Sequence, residues 1–188
     1  MSFPIVGVGA SAGGLESFSA LLAGIPANTG MAYVFVQHLD PVHGSRLAKI
    51  LSNRTALPVE EAREGEIFPD HLYVTIPNTT LTITSHVLHL RSRDPAERPH
   101  RPIDMLFLSL AEKRGPNVIG VILSGCGSDG AKGIQAIKKA GGITFAEEKN
   151  SASFFGMPSS AIQTGCVDFI LAPSYIAEKL VGISRRVP

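Results

Sequence analysis

The sequence predicts an α/β protein built on a doubly wound, mostly parallel sheet of Rossmann-like type with an inserted antiparallel β-hairpin. Three observations carry that expectation. Short, fully apolar runs recur along the chain, as strands buried on both faces of a parallel sheet require. Segments with apolar residues at helical spacing alternate with them, which is the rhythm of a sheet covered by helices. Between residues 71 and 91 that rhythm gives way to short runs of alternating polar and apolar residues joined by turn residues such as Pro77 and Asn78.

Residues 5–8 are the first apolar run, bounded by glycines. Leu15, Phe18, Leu21 and Leu22 follow at helical spacing, with Gly24 and Pro26 as stop signals. Residues 32–36, Ala-Tyr-Val-Phe-Val, form a second buried strand that ends at Gln37 and His38. A helix over 45–52 carries Leu47, Ile50 and Leu51 on one side, and a short strand is expected near 58–61. The antiparallel excursion over 71–91 comes next, then a polar, proline-rich surface loop over 92–102. Alternation resumes with a helix over 103–113, a strand over 118–123, the turn Ser-Gly-Cys-Gly-Ser-Asp-Gly at 124–130 and a helix through Ile134 and Ile137 to Gly141. A strand over 143–146, a helix near 158–164, a strand over 167–171 and a helix from Ser174 finish the pattern, with no internal repeat.

The 188 residues suit one domain with a single core, here expected to span 1–188. Apolar residues at 44% and charged residues at 18% describe a soluble globular protein. A net charge of +1, with no basic run interleaved with aromatics, offers nothing toward nucleic-acid binding. No signal peptide is recognisable, and no apolar run approaches membrane-spanning length. Two cysteines, Cys126 and Cys166, do not make a disulfide framework, so a cytoplasmic protein with reduced thiols is expected.

In an open parallel sheet, ligands bind beyond the carboxyl ends of the strands, where strand order reverses. With the order 3-2-1-4-5 among the parallel strands, the loops after strands 1 and 4 flank that crevice. Those loops hold Ser11 and Asp129, and neighbouring strand 2 ends at His38. The three residue types are complementary: a serine hydroxyl needs a base, a histidine serves near neutral pH, and a carboxylate sets the imidazole tautomer. Residues 9–13, Gly-Ala-Ser-Ala-Gly, also fit the Gly-x-Ser-x-Gly nucleophile elbow. The backbone N–H of Ala12, with that of Cys126 or Gly127, is a candidate oxyanion hole.

Other readings compete residue by residue. Gly7 and Gly9 begin a dinucleotide-binding pattern and Asp40 lies where a ribose-binding acid would, but the third glycine, Gly13, falls one place late. An α/β-hydrolase would follow the order serine, acid, histidine, which differs here. His38, Asp40 and His43 lack the thiolate or further histidine pair that would make a convincing metal site. His86 and His89, three apart on an expected strand, point to opposite faces and read as surface residues. Asp104 is a rival acid whose place near a helix start suggests a cap, and Asp129 is equally placed to cap the helix that follows it. Cys126 has no basic neighbour in sequence to activate it.

Five stretches resemble one family: Val-Gly-Val-Gly-Ala-Ser-Ala-Gly-Gly-Leu-Glu at 6–16, Val-Gln-His-Leu-Asp at 36–40, Arg-Pro-Ile-Asp-Met-Leu-Phe at 101–107, Ser-Gly-Cys-Gly-Ser-Asp-Gly-Ala at 124–131 and Gly-Met-Pro-Ser-Ser-Ala at 156–161. They are similar to the catalytic domains of CheB, the chemoreceptor glutamate methylesterases, over residues 3–183. The resemblance implies hydrolysis of glutamyl γ-methyl esters on the cytoplasmic helices of methylated chemoreceptors, with release of methanol and, in many members, deamidation of glutamines. It also implies Ser11, His38 and Asp129 as the catalytic residues and no cofactor. Family members usually carry methionine where this chain has Cys126, and usually an N-terminal receiver domain, whereas this chain opens on the first catalytic-domain strand. Gly-Leu-Glu-Ser-Phe at 14–18 and Ile-Pro-Asn-Thr-Thr-Leu at 76–81 are more similar to modules fused to a CheR-type methyltransferase. A non-catalytic module that docks on receptors or on such a methyltransferase is the alternative.

Overall fold

A computed structural model describes residues 3–38, 46–94, 96 and 99–185. Its centre is β1 (Ile5–Ala10), buried at every position, with β2 (Ala32–Gln37) on one side and β8 (Val118–Ile122) on the other. Outside β8 lie β9 (Ile143–Glu147) and β10 (Phe169–Leu171); outside β2 lie β5 (Leu72–Val74) and then β3 (Val59–Glu61). The seven strands run in the order β10-β9-β8-β1-β2-β5-β3, and all their pairings are parallel. The chain therefore reverses its direction of travel across the sheet at the β1/β8 boundary, as the expected order requires.

One strand corrects that order. The run at 71–76, expected in the antiparallel excursion, supplies β5 and slots between β2 and β3. Leu72, Tyr73 and Val74 are all buried, so the run is continuous rather than alternating, which is the mark of a strand covered on both faces. The antiparallel unit is a separate three-stranded sheet, with β7 (Val87–Ser92) between β4 (Gly65–Glu66) and β6 (Thr79–Thr84).

Helices cover both faces of the parallel sheet. On one side α1 (Gly14–Leu22) packs with α6 (Pro173–Ser184), and Phe18 stacks on Phe35 of β2 at 4.0 Å between ring centroids. Leu51 of α2 (Leu47–Ser52) joins the same cluster. On the other side α3 (Pro102–Arg114) packs against α4 (Ala131–Lys139), which in turn meets α5 (Gly156–Gln163). Helix α3 lies between the two sheets, with Ile103, Leu106, Phe107 and Leu110 fully buried and the Ile83 N–H donating to Ser109 Oγ at 3.0 Å. Its crossing with α4 is close: a Cβ on Gly133 would stand 2.3 Å from that of Phe107. Helix α2 starts at Leu47, and residue 45 of the expected helix lies outside the described residues. Among the described residues, no helix is long and apolar enough to cross a membrane.

Edge strand β10 is fastened by Asp168, whose Oδ2 accepts from the Thr144 N–H and hydroxyl, each at 3.0 Å, while Oδ1 pairs with Lys138. Burial pushes this carboxyl up, but the Lys138 and Thr144 donors outweigh it and hold Asp168 below its ordinary value of 3.8. A depressed carboxylate adds stability above its unfolded value, and the gain is lost as pH falls through the folded value. Asp168→Asn should therefore lower the urea midpoint near neutral pH, and the gap to the unsubstituted protein should close as pH is taken below 3.8. Equilibrium urea unfolding at several pH values measures it.

Candidate active site

Ser11 follows directly on the last residue of β1 and is held on both sides of its backbone. Its N–H donates to the Ser124 carbonyl at 3.0 Å, and its carbonyl accepts from the Gly14 N–H at 3.0 Å and from Gln37 Nε2 at 3.3 Å. Gly13 takes φ 72°, a left-handed value that side chains disfavour, and so lets the chain turn from strand into α1 within three residues. Gly14 must also be small, because a Cβ there would sit 2.4 Å from that of Ala10. The N–H groups of Ala12 and Gly13 have no backbone acceptor among the described residues.

His38 arrives beside this turn by strand register. Ala10 pairs with Gln37, and the His38 N–H donates to the Ala10 carbonyl at 3.2 Å. Its Nε2 meets Asp129 Oδ2 at 2.8 Å. Asp129 is 6% exposed and makes further contacts: Oδ2 accepts from the Ile103 N–H at 3.1 Å and Oδ1 from the Asp104 N–H at 2.9 Å. Those amides belong to the first turn of α3, so the positive end of the helix dipole meets the carboxylate. The imidazole is thereby given an acceptor on Nε2 by a group that cannot swing away. Nδ1 is left as the nitrogen able to take a proton.

The loop after β8 is braced from below. Glu147, wholly buried at the end of β9, accepts the Ser124 N–H on Oε2 at 2.8 Å, while its Oε1 has no partner among the described residues. Ser124 Oγ donates to the Ala12 carbonyl at 2.8 Å and accepts the Phe154 N–H at 3.0 Å. One residue thus ties β8, the Ser11 turn and the segment before α5 together. Beyond it, Gly125 is pinned by Phe154 and Met157, whereas Cys126 and Gly127 are exposed and their N–H groups have no backbone acceptor among the described residues. Arg101 closes the far end, reaching Ser128 Oγ at 3.2 Å and Asp104 Oδ2 at 3.3 Å.

Ser11 and His38 therefore stand directly at carboxyl strand ends and Asp129 in the loop after β8, whose Gly125 lies close against Ser11. Two capping expectations are corrected. Asp129 caps the helix before it, α3, rather than the one that follows, and Asp104 caps not its own helix but α4, accepting the Gly133 N–H at 2.9 Å. The two aspartates cross-brace the helix starts, and of the two it is Asp129 that meets His38. His86 is partly exposed, in the turn before β7: its ring stands 4.8 Å from that of Phe3, it takes a hydrogen bond from Arg114 Nη1, and desolvation with the nearby Arg114 charge pushes its pKa down. His89 lies near the surface and pairs with Glu64. Asp40 and His43 lie outside the described residues.

Sequence reasoning missed Ser124 and Glu147, although an acid at the end of the apolar run Ile-Thr-Phe-Ala-Glu was a signal. It also missed a pocket of about 230 Å³ beside His38, walled by Gln37, the 75–79 turn, Arg93 and His100. No local pattern announces that pocket, since its position depends on where β5 joins the sheet. Among the described residues no group of three or more His, Cys, Asp or Glu side chains is placed to hold a metal ion.

A parallel doubly wound sheet with a serine, a histidine and a buried aspartate at the rim near its switch point defines the class: an α/β domain carrying a candidate Ser-His-Asp set. The sequence profile of the CheB methylesterase family matches residues 6–180, and the chain belongs to that family. The crystal structure of the Thermotoga maritima CheB methylesterase catalytic domain superposes with a TM-score of 0.87 at 33% identity, covering 97% of this chain and 100% of that one. Curated relatives include protein-glutamate methylesterase/protein-glutamine glutaminase 2 of Burkholderia pseudomallei, 34% identical over 185 residues, covering 97% of this chain and 54% of that protein. The enzyme numbered 1 from Burkholderia lata is 36% identical over 184 residues, with 97% and 55% covered. The chain thus spans about half the length of the curated relatives it matches.

The bond between His38 and Asp129 makes a definite prediction. Asp129→Asn keeps an acceptor for the Asp104 amide but offers N–H instead of a lone pair to the ring and to the Ile103 amide. Nitrogen NMR of the imidazole at neutral pH should show His38 protonated on Nε2 in the unsubstituted protein and on Nδ1 in the variant. Ester hydrolysis should fall by about 10³- to 10⁴-fold.

Proposed function

We propose that the domain hydrolyses γ-methyl esters of glutamyl side chains on chemoreceptor proteins, releasing methanol, and that it deamidates glutamines at the same site. The observation that carries this reading is the bridging carboxylate: Asp129 joins His38 Nε2 to the first turn of α3, beside the serine of a strand-turn-helix elbow. The family and the names of the relatives supply the substrate class.

In this mechanism His38 Nδ1 takes the Ser11 hydroxyl proton as Oγ attacks the γ-carbonyl carbon. The developing oxyanion lies against the N–H of Ala12 and that of Cys126 or Gly127, and each such donor is worth roughly 3 kcal/mol of transition-state stabilisation. Collapse breaks the carbon–oxygen bond to the methoxy group, and the proton on His38 leaves with methanol. A water molecule, deprotonated by His38, then cleaves the acyl-serine and frees the glutamate carboxylate. With a glutamine the leaving group is ammonia. Asp129 stays a carboxylate throughout and stabilises the imidazolium. Backbone donors supply the oxyanion site, so cysteine in place of methionine at Cys126 keeps it. A methyltransferase domain, fused or associated, is the natural neighbour, since it would make the ester that this site removes. Such a pair works in the cytoplasm.

Methanol release from a methylated receptor fragment tests the reading. Ser11→Ala should reduce it by at least about a thousandfold, with the fold retained by circular dichroism. Unchanged release would overturn the nucleophile.

A further inference from the structure

We infer that the pocket beside His38 is an anion subsite in which Arg93 receives a carboxylate side chain of the polypeptide that carries the ester. This rests on the ester-hydrolase reading above and adds a specificity element to it.

The pocket lies at the carboxyl ends of β2 and β5, on the same sheet edge as Ser11. Its walls among the described residues are Gln37, His38, the turn from Thr75 to Thr79, Arg93, His100 and Pro102, none of them acidic. Arg93 is held by its backbone, whose N–H donates to the Asn78 carbonyl at 2.8 Å. Its Nε is buried and has no acceptor among the described residues. A buried donor left unpaired is costly, and a guanidinium offers a planar fork that matches a carboxylate. His100 is a less free wall residue, since its Nε2 shares a hydrogen bond of 3.0 Å with Thr80 Oγ1.

A second unpaired group points to a peptide rather than a simple anion. Gln37 Oε1 is buried without a partner, while the same amide's Nε2 holds the Ser11 carbonyl. An acceptor beside the catalytic turn suits a backbone N–H of the bound chain once the amide turns into the pocket, since Oε1 is closed to solvent as it stands. A polypeptide supplies both complements, an N–H for Gln37 and an acidic side chain for Arg93. The consequence is an order of events: on a chain with two neighbouring esters, the first hydrolysis creates the carboxylate that Arg93 binds. The second hydrolysis then runs faster than the first.

The test uses peptides with one glutamyl γ-methyl ester flanked by either Glu or Gln. Methanol release is followed for the unsubstituted domain, Arg93→Gln and Arg93→Lys. The Glu-flanked peptide should be preferred about tenfold in kcat/KM, mostly through KM, with the preference shrinking as salt is added. Arg93→Gln should lose the preference and Arg93→Lys should keep part of it. Equal turnover of both peptides by the unsubstituted domain, or the same preference after Arg93→Gln, overturns the proposal. Should neither peptide be turned over, or the variant not fold, inhibition of chromogenic-ester hydrolysis by glutarate against neutral glutaramide in the unsubstituted domain decides. Stronger inhibition by glutarate supports the subsite even where the protein-ester reading fails; equal inhibition overturns it.

Discussion

The arrangement depends on one carboxylate placed between an imidazole and a helix start. Asp129 is buried, and burying a charge is affordable only where donors replace the water that is lost. The first turn of α3 supplies two of them and His38 the third. Asp104 makes the reciprocal bond from α3 to the start of α4, so the loop carrying Asp129 and the helix receiving it are fixed to each other from both ends. The close contact of Gly133 with Phe107 permits that crossing. Packing in the core and geometry at the rim are therefore one constraint: α3 and α4 must sit that close for either aspartate to reach.

Around this brace the site is built from rigid strand ends and two glycine turns. Ser11 and His38 are neighbours because β1 and β2 are in register, and no loop has to fold over to join them. Ser124 then connects the first turn to the second through its backbone and its hydroxyl, with Glu147 beneath it. The N–H groups of Ala12, Cys126 and Gly127 have no backbone acceptor among the described residues, and they are the donors the proposed mechanism draws on. Buried groups hold position, and the exposed amides of Cys126 and Gly127 stay outside that network.

Much of this was legible in sequence because its signals are local. Apolar runs ending in Gly9 or Ser124 mark strand ends, and parallel topology brings strand ends to one edge. Ser11, His38 and Asp129 follow from that alone as neighbours at the rim. What was not legible depends on pairings between distant elements. Residues 72–74 read as part of the antiparallel excursion, since a three-residue run has too little periodicity to mark a strand of the parallel sheet. Both aspartates looked like caps of their nearest helices, and only the α3–α4 crossing reveals that each serves the other. Arg93 has no motif at all, and its pocket exists because β5 brings the 75–79 turn beside His38.

Labelling with a serine-directed phosphonylating reagent, followed by mass spectrometric location of the adduct, tests most directly whether the brace serves an activated serine. The predicted result is a single adduct on Ser11, abolished when His38 is replaced by alanine. Failure to label the folded protein, or an adduct on Ser124 or any other serine in its place, would contradict it.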